Sequence, residues 1–431
     1  MPWLTTNSTV LEGSDMITKY IRRNRGDAIS RIFFLCWLVY FTSYIGRLNF
    51  SSSMTKIIEI KILTGTQAGL INMAYFCAYG IGQISNGLIG DKSHPRIQIF
   101  VGLLGSGIFN LVMAFGNPVL MTVFWCLNGY FQSMLWPPMM RIFSEKFPED
   151  RKAKAGVDIV TSMSLGSLCS YLISAAALWA GRWQNAFYIP GVLLLAVAFL
   201  WLFRFGKEES RLSEKETGAE KTHREKKSAA NESLREIFFT EGVALILLPV
   251  IIHGTLKDGV TSWIPTFFHE RFLVSPAFAV AVTMILPIVN MFGAYAAGFV
   301  NRKLKNCEIK SASVFFLTAT VSLVLIQFAG SCNVILTGFL FASVTLSMMA
   351  VNTLFVNLIP LHFGKTGKVS AISGILNAAA YFGSAVSSFQ IGLTAEKSGW
   401  NTVTFIWILE TLAALVFCCM IRNKTFVMKK E

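Results

Sequence analysis

The sequence predicts an all-α membrane protein with 12 transmembrane helices in two pseudo-symmetric six-helix bundles. Three observations carry this: composition, the number of long apolar runs, and one charged interruption at mid-chain. Of 431 residues, 53% are hydrophobic and only 14% charged, with 36 Phe. Mean hydropathy is +0.54. The remaining polar surface is too small to cover that much apolar surface in a water-soluble fold. A disordered chain, a disulfide-stapled mini-domain and most soluble enzymes are therefore excluded.

A membrane crossing takes about 20 apolar residues, because a helix rises about 1.5 Å per residue across a core about 30 Å thick. Runs of that kind lie at 30–53, 67–90, 97–115, 119–142, 155–179, 184–205, 239–268, 276–300, 311–329, 334–358, 367–393 and 401–421. Backbone groups in lipid must be satisfied within their own segment, and the runs do not alternate as barrel strands do. The stretch from Lys207 to Glu236 is charged and poor in apolar residues. It divides the chain into a first bundle (1–206), a linker (207–236) and a second bundle (237–431). The polar start of the chain is not a cleavable leader by pattern, since the first apolar run is long enough to span.

Lys and Arg number 38 against 24 Asp and Glu, a net charge of +14. Of the 38, 31 fall at the termini, in the linker and in the loops on its side, 5 fall in the opposite loops, and 2 lie inside spans. That asymmetry predicts cytoplasmic termini and a cytoplasmic linker in a multi-pass plasma-membrane protein. It also accounts for the basic charge without nucleic acid. The eight cysteines form no C-x-x-C pair and read as small apolar residues. No cofactor, metal cluster, nucleotide loop or catalytic constellation is recognisable, so no enzyme is expected.

The two cations inside spans are Arg47, in YFTSYIGRLNF of span 1, and Lys257, in HGTLKDGVTSW of span 7. An ionised group at mid-membrane costs about 2.5–3.5 kcal/mol on insertion scales, so each needs a partner or a wet cavity. Spans 1 and 7 open their respective bundles, which makes the two positions pseudo-equivalent. Carriers built from repeats bind solutes at the repeat interface near mid-membrane, and two cations there form an anion site. Asp258 adjoins Lys257, but successive α-helical residues point about 100° apart, so pairing between them is not expected. Asp158 and Glu410 are other acids that could neutralise the cations. His253, one turn before Lys257, is a candidate anion donor or proton sensor, and Asp258 a candidate proton carrier. Asn290, Asn352, Asn377 and Gln390 are intramembrane polar residues suited to a hydroxylated solute or to helix–helix contacts. Pro265 and the Pro137–Pro138 pair should distort their helices.

The loop after span 2 reads GLIGDKSHPR, with Gly87, Gly90, Asp91, Lys92 and Arg96. It resembles the gating loop of the major facilitator superfamily, and the pseudo-equivalent GFVNRKLK at 298–305 keeps the basic residues without the acid. The segments YIGRLNF, AYGIGQISNGLIGDKSHPR and CLNGYFQSMLWPPMMR resemble, more closely, the organophosphate:phosphate antiporters within that superfamily. GRWQNAFYIPG and KDGVTSWIPTFF extend the likeness. The resemblance implies the major facilitator fold and alternating-access exchange of a sugar- or polyol-phosphate for inorganic phosphate. It implies a lipid-embedded monomer whose partners are the small anion and a coupling ion, phosphate or proton. It assigns Arg47 to phosphate binding, Tyr44, Tyr79 and Trp136 to the cavity wall, and Arg141 to the gating region. Lys257 stands where the family has Arg, Leu48 where glycerol-3-phosphate members have Lys, and Met163 where they have His. Proton-coupled carriage of a sugar acid is the alternative these departures raise, and a sugar-phosphate sensor a third.

Overall fold

The computed structural model describes residues 7–90, 93–115, 117–148, 151, 155, 158–216, 243–329, 333–359 and 369–421. The ordered elements among them are helices: α1 (Asn7–Glu59), α2 (Gly65–Gly90), α3 (Pro95–Met113), α4 (Pro118–Ser133), α5 (Trp136–Lys146), α6 (Val160–Trp179), α7 (Asn185–Glu216), α8 (Leu247–Gly254), α9 (Thr261–Phe272), α10 (Pro276–Thr283), α11 (Ile285–Lys303), α12 (Glu308–Ala329), α13 (Val334–Asn352) and α14 (Val369–Ile421). A π-helical segment, Thr255–Val260, joins α8 to α9, and a second, Thr353–Leu358, follows α13.

Nine described helical stretches are long and apolar enough to cross a membrane. The last, Gly374–Ile421, turns back at Gly399, whose φ of 75° and ψ of 172° only glycine adopts readily, so it crosses twice. The remaining crossings are α2 and the broken rod α4–α5, which brings the count to twelve. The latter is interrupted at Met134–Leu135, directly before Pro137 and Pro138, as two missing backbone donors require. α2 packs along α4 of its own bundle and along the first crossing of α14 in the other. Gly181, between the fifth and sixth crossings, also has positive φ (70°) and like Gly399 lies one or two residues before a buried Trp, here Trp183 and there Trp400. The same turn thus recurs at the same place in both bundles. Large apolar side chains such as Phe34, Phe299, Phe328 and Phe339 lie exposed around the outside, as a lipid-facing belt would.

The first ten residues of the expected linker, Lys207–Glu216, continue α7. Glu208 explains this: it is buried and accepts from Arg31 at 2.9 Å and from Arg211 at 2.7 Å. The remainder of the expected linker lies outside the described residues.

The bundles meet along α2 and the first crossing of α14, along α1 and α9, and along α6 and α10. Hydrogen bonds joining them are found at mid-depth, between Arg47 and Tyr381, and on the face opposite the linker. On that face Thr55 bonds Thr266 at 2.9 Å, and the backbone N–H and hydroxyl of Thr66 both donate to Glu396 at 2.8 Å. Gly69 and Gly392 lie against opposing backbone with no room for a Cβ. On the linker face the bonds between described residues stay within one bundle: Arg31–Glu208, Lys146–Glu209, Arg96 to the Leu202 carbonyl, and Arg141 to the Ser93 carbonyl. The protein is thus sealed opposite the linker.

Candidate functional site

Arg47 is placed by its backbone before its side chain is considered. The carbonyls just before it are held by the first bundle: Ser43 by Gln132 (3.1 Å), Ile45 by Ser170 (2.9 Å), and Gly46 by Asn110 (3.1 Å) and Asn128 (3.3 Å). Asn49 completes the clamp by donating to Asn110 at 2.7 Å. Intramembrane amides of this kind contribute roughly 0.6 kcal/mol each, and together they fix the depth and rotation of span 1.

The guanidinium, 7% exposed as a residue, is surrounded by tyrosines. Its carbon lies 4.5 Å from the ring centre of Tyr79, 5.3 Å from Tyr44, 5.5 Å from Tyr381 and 5.8 Å from Tyr75. Its Nη2 donates to the Tyr381 hydroxyl at 2.8 Å. Aromatic faces attract a cation with about 0.5–2 kcal/mol each, which offsets its desolvation without cancelling its charge. One arm of the donor fork, Nη2, is engaged with the Tyr381 hydroxyl.

Lys257 approaches from the other bundle, its Nζ 6.0 Å from the Tyr381 ring. The two pseudo-equivalent cations therefore share one tyrosine at mid-depth. Its backbone is held by span 11, where Ser384 donates to the Gly254 carbonyl (2.9 Å) and Ser387 to that of Thr255 (3.1 Å). Thr261 caps the Lys257 carbonyl and Ser262 that of Asp258.

One expectation is overturned. Lys257 and Asp258 do pair, at 2.9 and 3.0 Å to the two carboxylate oxygens. They lie on the π segment, whose wider turn brings successive side chains closer in direction than an α-helix does. The flexible lysine stem covers the remaining angle. The side chains are 23% and 22% exposed, so the pair is reachable while Arg47 is nearly enclosed. The pair does not draw Lys257 away from the site. It does mean that repulsion between the two cations is already partly relieved by Asp258.

The other expected residues divide. Tyr44 and Tyr79 touch Arg47. Trp136 stands one layer back, its ring tilted against Tyr40 at 5.0 Å, with Tyr40 in turn 5.3 Å from Tyr44. His253 is fully buried, with neither ring nitrogen in a well-formed hydrogen bond, and does not join the cage. Gly87 and Gly90 end α2. Arg96 ties span 3 to span 6 and Arg141 reaches the loop after span 2. Asp91 and Lys92 lie outside the described residues. Tyr75 and Tyr381 were not anticipated. The Tyr75–Tyr79 spacing of four places both on one helix face and was a usable signal. Tyr381, inside AYFGSAVSSF, looked like packing.

A two-bundle helical carrier with an internal cation pair at the bundle interface is the class that fold and site define. The family model described as Major Facilitator Superfamily matches residues 36–388, and the chain belongs to that superfamily. It is 24% identical over 417 residues to a probable hexose phosphate transport protein of Chlamydia trachomatis serovar D, covering 90% of this chain and 89% of that one. It is 22% identical to the glycerol-3-phosphate transporter of Bacillus subtilis (strain 168), covering 91% and 92%. Among solved structures it resembles a bacterial homolog of the human lysosomal transporter Spinster, with a TM-score of 0.74 at 12% identity over 92% and 98% of the two chains. The two named relatives match the organophosphate:phosphate antiporter type, and the solved structure shares the fold.

Proposed function

We propose that this multi-pass membrane protein exchanges a small phosphorylated sugar or polyol for inorganic phosphate by alternating access. The observation that carries the proposal is the convergence of one cation from each bundle on Tyr381. Arg47 presents two parallel N–H donors to phosphate oxygens, and Lys257 a compact charge opposite them. Asp258 acts as a built-in counter-ion, leaving the site with one uncompensated positive charge. An entering phosphate competes with Asp258 for Lys257 while binding Arg47, and so bonds to both bundles at once. It favours conformations in which both cations reach it, and only that differential affinity moves the equilibrium. The closed contacts around Thr66 and Glu396 then open as the linker face closes.

The two relatives described above are named for hexose phosphate and glycerol-3-phosphate, which favours a phosphorylated solute over a sugar acid. The basic linker-side loops favour cytoplasmic termini in a plasma membrane, and both cations of the proposed site come from one chain, which supports a monomer as the working unit.

The test is purified protein in liposomes loaded with labelled inorganic phosphate and diluted into hexose 6-phosphate, glycerol-3-phosphate, a sugar acid or buffer. Release driven by an outside organophosphate, and not by buffer or sugar acid, is expected. Binding of sugar phosphate without any exchange would point to a sensor and overturn the proposal.

A further inference from the structure

Glu410, at mid-depth in the last crossing, is not explained by the anion site. Its polar partner among the described residues is Thr255, whose hydroxyl oxygen lies 3.2 Å from Glu410 Oε2. That hydroxyl also lies 2.6 Å from the Ile252 carbonyl. A threonine has one proton to donate, and the shorter contact takes it. The 3.2 Å contact is then a good hydrogen bond only when the carboxyl carries the proton and donates to Thr255.

Among the described residues no cation is paired with Glu410. Of the ionisable groups facing it, span 7 offers Lys257 and Asp258, which are paired with each other, and His253, which is enclosed. Span 11 offers Tyr381, committed to Arg47, and span 12 the cysteines Cys418 and Cys419, two turns further on. α12 carries Glu308 and Lys310 only at its linker-face start. Among the described residues, the hydrogen-bond partner of Glu410 is Thr255 and none of these groups. A small crevice lies beside Glu410 between the two crossings of α14, its polar side formed by Ser387, Gln390 and Thr394 and its apolar side by Ile391, Val403, Ile406 and Trp407. Ser387, Gln390 and Thr394 follow a helical i, i+3, i+7 spacing and climb toward the face opposite the linker as a polar row on one side of the crevice.

We propose that Glu410 is a proton-binding site separate from the anion site, filled in the conformation described here and emptied through the crevice when span 7 rearranges. Thr255 opens the π segment that carries Lys257 and Asp258. Moving that extra residue along span 7 rotates Thr255 by roughly 100° away from Glu410. The carboxyl then loses its partner, meets water, and its O–H bond breaks to give carboxylate and a hydrated proton. The reverse movement takes one proton back. The exchange cycle thereby acquires a proton step, an inference that rests on the alternating-access reading above.

Two measurements on the full chain in liposomes test this. First, an infrared difference spectrum at neutral pH should show a protonated-carboxyl band. Glu410→Gln should lose it, and Thr255→Val, which keeps the acid, should shift it. Second, inorganic phosphate self-exchange should respond severalfold to an imposed pH gradient in the wild type and lose that response in Glu410→Gln while exchange itself persists. No band in the wild type, a band unchanged in Glu410→Gln, or an identical gradient response in both proteins would overturn the proposal. If the wild type fails to exchange phosphate at all, the anion-site reading fails, while the infrared result still decides whether Glu410 holds a proton.

Discussion

Spans 1 and 7 occupy the same place in their bundles, carry the same charge at the same depth, and are built differently. Span 1 is regular α-helix, its carbonyls tied by amides and hydroxyls of its own bundle, and its cation enclosed by four tyrosine rings. Span 7 breaks into a π segment, and its cation is one-fifth exposed beside its own counter-ion. In the proposed exchange the difference separates two tasks: the regular span holds Arg47 at fixed geometry, and the span with the π segment lets Lys257 engage and disengage. π segments of this kind are common where a helix serves a function.

Removing Arg47 should have the largest effect. Hydrogen bonds to charged groups contribute about 1.5–3 kcal/mol, so Arg47→Ala should weaken phosphate binding by about 10–150-fold and abolish measurable exchange. Lys257→Ala should also lose exchange, whereas Lys257→Arg should keep a substantial part of it. Equal loss in both would show that geometry, not charge, matters at span 7. Asp258→Asn removes the counter-ion and should move binding the other way: tighter phosphate, slower turnover, read as a fall in both the half-saturating concentration and the maximal rate. Looser binding would show that Asp258 holds Lys257 in place and does not compete for it. Tyr381→Phe deletes one neutral hydroxyl shared across the interface. At about 0.5–1.5 kcal/mol, its cost should be about 2–12-fold.

The smallest effect lies at the sealed face. The Thr66 backbone N–H, and then its hydroxyl, donate to Glu396 in the turn between the two crossings of α14, holding that carboxyl below the ordinary range. Ionised Glu396 therefore favours the sealed state. That contribution is present above the ordinary value of about 4.3 and is lost as pH falls through the lowered one. Acidification of that face, or Glu396→Gln at neutral pH, should raise the fraction open on that side, read from the distance between labels placed on α2 and α14. An unchanged distance distribution in both cases would remove Glu396 from the seal.

The crossings were legible because lipid imposes a length on every apolar run, and the two cations because charge at mid-membrane is costly. The Lys257–Asp258 pair was not legible. It depends on a π register set by contacts with span 11, where Gly254 packs against the Ala380 backbone without room for a Cβ. Tyr381 was missed for a related reason: an aromatic residue in an apolar run looks like packing until the opposite bundle is seen against it. Trp136 was readable as a motif, but its place one ring behind Tyr44 was not. The helical start of the linker was hidden because Glu208 reads as solvated until Arg31, far away in sequence, closes on it.

The central claim is that Arg47 and Lys257 bind the same anion. Calorimetric titration of inorganic phosphate into the purified full chain tests it most directly, with the wild type compared against Arg47→Ala and Lys257→Ala. Each single change should weaken binding by about tenfold or more. Wild-type affinity in either variant would contradict the account.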